Sequence, residues 1–128
     1  MSGDEIALTM PGDEAFHRVA HLVLGGLAVR LDLTFEILED LELALDALLE
    51  RARGDDDVTV RVKVLDGELH TTVGPLASVR NDLERGGAEA LTLSRILSTV
   101  CDSVEIEDRE GAEWVELTKR VQTQKAGR

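Results

Sequence analysis

The hydrophobic period of this chain changes near residue 57, and that change excludes most folds. Before it, Phe16, Val19, Ala20, Val23, Leu24, Leu27 and Leu31 recur at helical spacing. Phe35, Ile37, Leu38, Leu41, Leu45, Leu48, Leu49 and Ala52 then do the same, with Leu43 and Ala44 widening the stripe. After it, Val58, Val60, Val62 and Val64 alternate with Thr59, Arg61 and Lys63. A period near 3.6 buries one stripe of a helix, and a period of 2 buries one face of a strand. The chain must therefore lay helices against a sheet.

Punctuation divides the rest. Ile6 to Met10 is a short strand stopped by Pro11-Gly12, after which Asp13 or Gly12 caps the first helix. Gly25-Gly26 inside that helix costs about 1 kcal/mol per glycine relative to alanine, which suggests close packing or a bend. Thr34 is the N-cap of a second helix running to about Arg53 and ended by Gly54-Asp55-Asp56-Asp57. Asp66-Gly67 turns the alternating strand back into Leu69, Thr71 and Val73, and Gly74-Pro75 stops it. Residues 76 to 88 read as a polar stretch, followed by a third helix through Leu91, Leu93, Ile96, Leu97 and Val100. Val104 and Ile106 form a strand, Arg109-Glu110-Gly111 turns, and Val115 and Leu117 build the last strand beside Trp114. The predicted order is β-α-α-β-β-α-β-β. We expect an α+β two-layer sandwich, three helices on one face of a mixed, mostly antiparallel sheet. Residues 5 to 121 form one domain, and 122 to 128 a loose polar tail.

Composition narrows the partners. At 128 residues the chain can bury one core without metals or disulfides. Only 2% of residues are aromatic, so Leu and Val must fill that core. A net charge of −12, from 14 basic against 26 acidic residues, argues against nucleic acid and anionic membrane surfaces. The lone Cys101 cannot form an internal disulfide, and the N-terminal segment lacks the basic and apolar regions of a signal peptide. The expectation is a cytoplasmic protein.

Several local signals run together over residues 6 to 121. They are Leu8-Thr9-Met10-Pro11, Leu38-Glu39-Asp40-Leu41-Glu42-Leu43-Ala44-Leu45, Asp66-Gly67-Glu68-Leu69 and Asp102-Ser103-Val104-Glu105-Ile106. With two long helices first and glycines before the third, the chain resembles the histidine-kinase-type (Bergerat-fold) ATPases, in particular anti-sigma-factor serine kinases. The resemblance implies a second-helix glutamate that activates a nucleophile and, one turn later, an asparagine that helps hold magnesium. Aligned on it, those positions here are Ala47 and Arg51. It also implies an Asp-x-Gly-x-Gly that holds adenine, whose aspartate and first glycine positions are Pro75 and Ala77. Alanine and proline offer no side-chain acceptor, and arginine repels a cation. Gly86-Gly87 supplies the glycines a phosphate loop needs, but Ala88-Glu89-Ala90 follows with a carboxylate where phosphate would lie. A register slipped by one residue would offer Asp46 and Glu50 instead.

Other constellations are weaker. His17 and His21 have the spacing of two metal ligands, but His70 and Cys101 lie on other elements and no third ligand is evident. Cys101 closes the third helix, far from the end that would activate a thiol, and reads as a small buried hydrophobe. Asp55-Asp56-Asp57 lacks the spaced ligands of a calcium loop, and no G-x-S-x-G occurs. The expectation is an anti-sigma-like regulatory domain without catalysis, bound to no cofactor or metal. Its partner would be a sigma factor or an antagonist protein, met through Trp114 and arginines, and the resemblance implies a homodimer. An ATP- and magnesium-dependent serine kinase using Asp46 or Glu50 is the first alternative, and a generic dimeric scaffold the second.

Overall fold

The computed structural model describes residues 5–52, 56–77, 79–85 and 88–121. Strand β1 (Glu5–Pro11) leads through a 3-10 turn (Glu14–Phe16) into α1 (His17–Arg30) and α2 (Phe35–Leu49). A hairpin, β2 (Asp57–Leu65) and β3 (Glu68–Leu76), follows. Helices α3 (Val79–Arg85) and α4 (Ala88–Val100) then precede a second hairpin, β4 (Ser103–Arg109) and β5 (Ala112–Arg120).

Thr34 acts as the predicted start signal of α2, its Oγ1 accepting the Ile37 N–H at 3.2 Å. Asp13 Oδ1 accepts the Ala15 N–H at 3.0 Å and so caps the 3-10 turn and not α1, whose N-cap Phe16 makes no side-chain bond. Both hairpins close over two residues. Asp66-Gly67 and Glu110-Gly111 all have positive φ, as the turn that matches strand twist demands.

The sheet order is β1-β2-β3-β5-β4, and every pairing is antiparallel. Register places Leu8 opposite Val60, Val60 opposite Val73, Val73 opposite Val115, and Val115 opposite Ile106. These residues share one face, covered by Leu24, Leu27, Leu45, Leu48, Leu93 and Leu97 of the helices. The other parity carries Thr59, Arg61, Lys63, His70, Thr72, Glu116 and Thr118. An antiparallel sheet can leave such a face to water. Helix α2 is the centre of the helical layer, touching α1, α4 and β3.

Five details correct the sequence expectation. The sheet is antiparallel throughout and not mixed. The described residues form four α-helices and not three, because Val79–Arg85 in the polar stretch is helical. Helix α2 ends at Leu49 and not near Arg53. There Arg51 Nη1 donates to the Ala47 carbonyl at 2.9 Å, and the Ala77 N–H donates to the Arg51 carbonyl at 3.2 Å. These bonds satisfy groups that another helical turn would have claimed.

Gly74-Pro75 does not stop β3, which runs on to Leu76 with its register against β5 shifted between Val73 and Leu76. A proline lacking a donor fits a ladder at such an irregularity. Gly25 and Gly26 mark no internal close packing: α1 is continuous, and nothing lies within 4 Å of a Cβ built on either. Arg53, Gly54, Asp55, Gly86, Gly87 and residues 122–128 lie outside the described residues.

Candidate functional site

One corner of the molecule gathers the end of α2, the end of β3, the start of α3 and the β4–β5 turn. The Gly12 N–H, donating to the Asp56 carbonyl at 2.9 Å, brings the end of β1 there too. Four of the six positions aligned to a nucleotide site fall in this corner. Ala47 is buried on the inner face of α2. Arg51 turns its guanidinium back onto the Ala47 carbonyl and offers its own carbonyl to Ala77. Pro75 and Ala77 line a groove with Asp56, Asp108, Gly111 and Glu113. Sequence positions 47, 51, 75 and 77 are therefore neighbours in space. The remaining two, Gly86 and Gly87, lie outside the described residues.

The chemistry of that groove is acidic. Its charged lining residues are Asp56, Asp108 and Glu113, all carboxylates. Glu113 Oε1 accepts the Val79 N–H at 2.7 Å and the Arg80 N–H at 3.2 Å. Those are the first amides of α3, so a carboxylate from the β4–β5 hairpin caps that helix. Arg80 is drawn to the same acids, its Nη2 lying 3.2 Å from Asp108 Oδ2 and its Nε 3.9 Å from Glu113 Oε2. An anionic ligand entering here would meet like charge, whereas an ammonium or guanidinium would be attracted.

The register-shifted acids point elsewhere. His21 Nε2 lies 2.7 Å from Asp46 Oδ1, and His21 Nδ1 lies 3.9 Å from Glu42 Oε2. Asp46 is thereby tied to α1, and with Glu50 it lines a second groove alongside His17, Arg18 and His21. The two histidines share that groove with three acids, Glu14, Asp46 and Glu50, yet no group of three has metal-binding geometry among the described residues. His17 Nε2 is buried there without a hydrogen-bond partner.

Two further groups were not singled out from sequence as site or packing elements. Glu113 and Lys119 stand at the same parity as Val115 and Leu117, facing the helices. A charge at a core-facing strand position needs a partner, so parity alone flags both residues. Lys119 donates to the Val100 carbonyl at 2.7 Å and lies 3.4 Å from Asp40 Oδ2. On the opposite face, His70 sits 3.3 Å from Glu68 Oε1 and from Glu116 Oε2.

Cys101 is half-buried, and burial pushes its thiol up to about 11, the nearby Lys119 ammonium only partly offsetting that. It is protonated at neutral pH and a poor nucleophile. Trp114, the anchor named from sequence, lies on the open sheet face. A Cβ at Gly74 would sit 2.6 Å from its Cγ, and the Arg109 guanidinium stands 5.0 Å from the ring centroid.

No family model matches the chain, and no curated protein matches it. Among the described residues, no helix is long and apolar enough to cross a membrane.

Proposed function

We propose that this chain is a regulatory binding module of the anti-sigma type, acting on a protein partner by contact and transferring no phosphate. The observation that carries the reading is the Glu113 carboxylate seated on the first amides of α3, in a groove whose other charges are Asp56 and Asp108. Support comes also from the element order, two long helices leading into a sheet covered on one face, and from positions 47, 51, 75 and 77 converging in one corner. Fold and chemistry are separable, so a corner without nucleotide-holding side chains leaves the binding surfaces intact. The partner would be a sigma factor or its antagonist in the cytoplasm, offering basic side chains to the acidic groove.

Two measurements test this. A ligand at 100 times its Kd adds about 2.7 kcal/mol of stability. Thermal unfolding in excess Mg-ATP should therefore be unchanged, and a clear rise in Tm would favour the kinase reading. Pull-down from native cytoplasm with mass spectrometry should return a sigma factor or its antagonist. An unrelated protein as the sole specific prey would overturn the reading.

A further inference from the structure

A sheet that is not closed into a barrel leaves its two outer strands with unpaired backbone groups. Here those strands are β1 and β4, at the two ends of the order β1-β2-β3-β5-β4. All of β4, Ser103–Arg109, pairs with β5 in unbroken register, so its outer edge is regular along its length. Strand β4 contains neither lysine nor proline, two residues that commonly blunt an edge. Strand β1 ends in Pro11, which has no N–H to offer.

Charge separates the two edges further. From residue 102 to 116 the chain has seven carboxylates and a single cation, Arg109. Strand β1 has one carboxylate, Glu5, which lies 3.4 Å from Arg61 on β2. Register sets Glu105 opposite Glu116 on the open face of the sheet, and Asp108 opposite Glu113 on the helical face. Like charges directly opposite each other destabilise a strand pair. Arg80 answers the second pair, 3.2 Å from Asp108 and 3.9 Å from Glu113. Arg109 is drawn onto Glu107 at 2.7 Å, and His70 lies 3.3 Å from Glu116. Glu105 is exposed, and among the described residues no cation reaches it.

We propose that the outer edge of β4 takes up an extended, basic segment of a protein partner, which joins the sheet as an added strand. In this mode main-chain bonds to the edge give attachment, and alternate side chains give selectivity. Successive residues of a strand point to opposite faces. On the open face the segment meets Glu105 and Glu107, so lysine or arginine belongs there. On the helical face it meets Val104 and Ile106, half-buried against the core, so an aliphatic side chain belongs there. The edge therefore selects a segment that alternates basic and aliphatic residues. Its end passes Asp108, which lines the acidic groove with Glu113. Such a segment gives chemistry to the partner of the regulatory reading, and it rests on that reading only in being part of a protein.

The test uses the full chain and a fluorescein-labelled peptide that alternates lysine and valine and is long enough to span β4. Fluorescence anisotropy at physiological salt should show saturable binding. A peptide of the same composition, with lysines and valines in separate blocks, should bind at least about tenfold more weakly, because its charges no longer share one face. Of two peptides N-methylated on alternate amides, one in each phase, one should lose binding, since only one phase faces the edge. Glu105→Lys relieves the repulsion from Glu116, so it should keep the native circular dichroism. It should also weaken binding of the alternating peptide by at least about tenfold. Amide hydrogen exchange should slow in β4 of the complex and stay unchanged in β1.

Absence of binding overturns the proposal. Equal affinity for the two residue orders does so too, as does full binding by both N-methylated peptides, since charge alone would then account for capture. A Glu105→Lys protein that binds like wild type, or protection that arises in β1, also overturns it. None of these results bears on Mg-ATP or on the identity of the prey, so the regulatory reading is decided separately.

Discussion

The ammonium of Lys119, on the core-facing side of β5, donates to the carbonyl of Val100 at the last turn of α4 over 2.7 Å. The same nitrogen lies 3.4 Å from Asp40 Oδ2 on α2, so one side chain ties the sheet to two helices. A cation at a helix C-terminus opposes the partial negative charge of its unsatisfied carbonyls. Lys119→Met keeps the stem but strands the Val100 carbonyl. It should cost about 1.5–3 kcal/mol, as expected for a charged hydrogen bond, and lower the urea midpoint. Asp40→Asn touches the more exposed half of the arrangement and should cost less than about 1 kcal/mol.

Cys101 provides a pH signature. Its thiol is raised from 9.0 to about 11, chiefly by burial, while Lys119 pulls the other way. The folded state therefore holds its proton where the unfolded chain releases it. That contribution is fully present below about pH 9 and is lost as pH rises from 9 to about 11. Wild type should lose stability across that window more steeply than Cys101→Ala. Iodoacetamide at pH 8.5 should label native protein far more slowly than urea-unfolded protein. Equal labelling rates would refute the assignment.

Gly74 and Trp114 give a local optical readout. A methyl group at Gly74 would overlap the indole, so Gly74→Ala must displace the ring or bend β3. Such overpacking should cost about 1–3 kcal/mol. Trp114 is the sole tryptophan, so its emission reports directly. The variant should show a red-shifted maximum, and an unchanged spectrum with unchanged stability would mean the ring is not held against Gly74.

Glu113 makes a prediction about α3 alone. Glu113→Ala leaves the Val79 and Arg80 amides without their acceptor, and losing such a cap costs about 0.5–2 kcal/mol. Amide hydrogen exchange at Val79 and Arg80 should accelerate more than exchange in β2. Glu113→Gln, which keeps an acceptor oxygen, should recover most of the protection.

These residues show where local pattern suffices to read the fold. Val58 to Val64 alternate so regularly that β2 and its face follow from the chain alone, and Thr34 announces α2 by the side chain that caps it, whereas Asp13 caps only the 3-10 turn before α1. Helix α3 had no such signal. Among its described side chains the core-facing pair is Val79 and Leu83, and its cap is Glu113, 34 residues away in sequence. The end of α2 misleads for the same reason, because the apolar stripe continues to Ala52 while a bond from distant Ala77 ends the helix. At the candidate site, Ala47, Arg51, Pro75 and Ala77 are neighbours because α2 ends against the end of β3. The acids Asp108 and Glu113 arrive on a hairpin whose approach only the folded chain specifies.

The glycines of α1 make a prediction about that helix alone. Each sits in regular helix with nothing within 4 Å of a Cβ, so within one copy alanine costs nothing sterically. It also removes backbone freedom from the unfolded chain and improves helix propensity. Gly26→Ala should therefore stabilise the monomer by about 0.5–1 kcal/mol, and Gly25→Ala similarly. The double alanine variant should show a raised urea midpoint with unchanged helical circular dichroism, and a variant no more stable than wild type would mean that α1 is not regular helix at these positions.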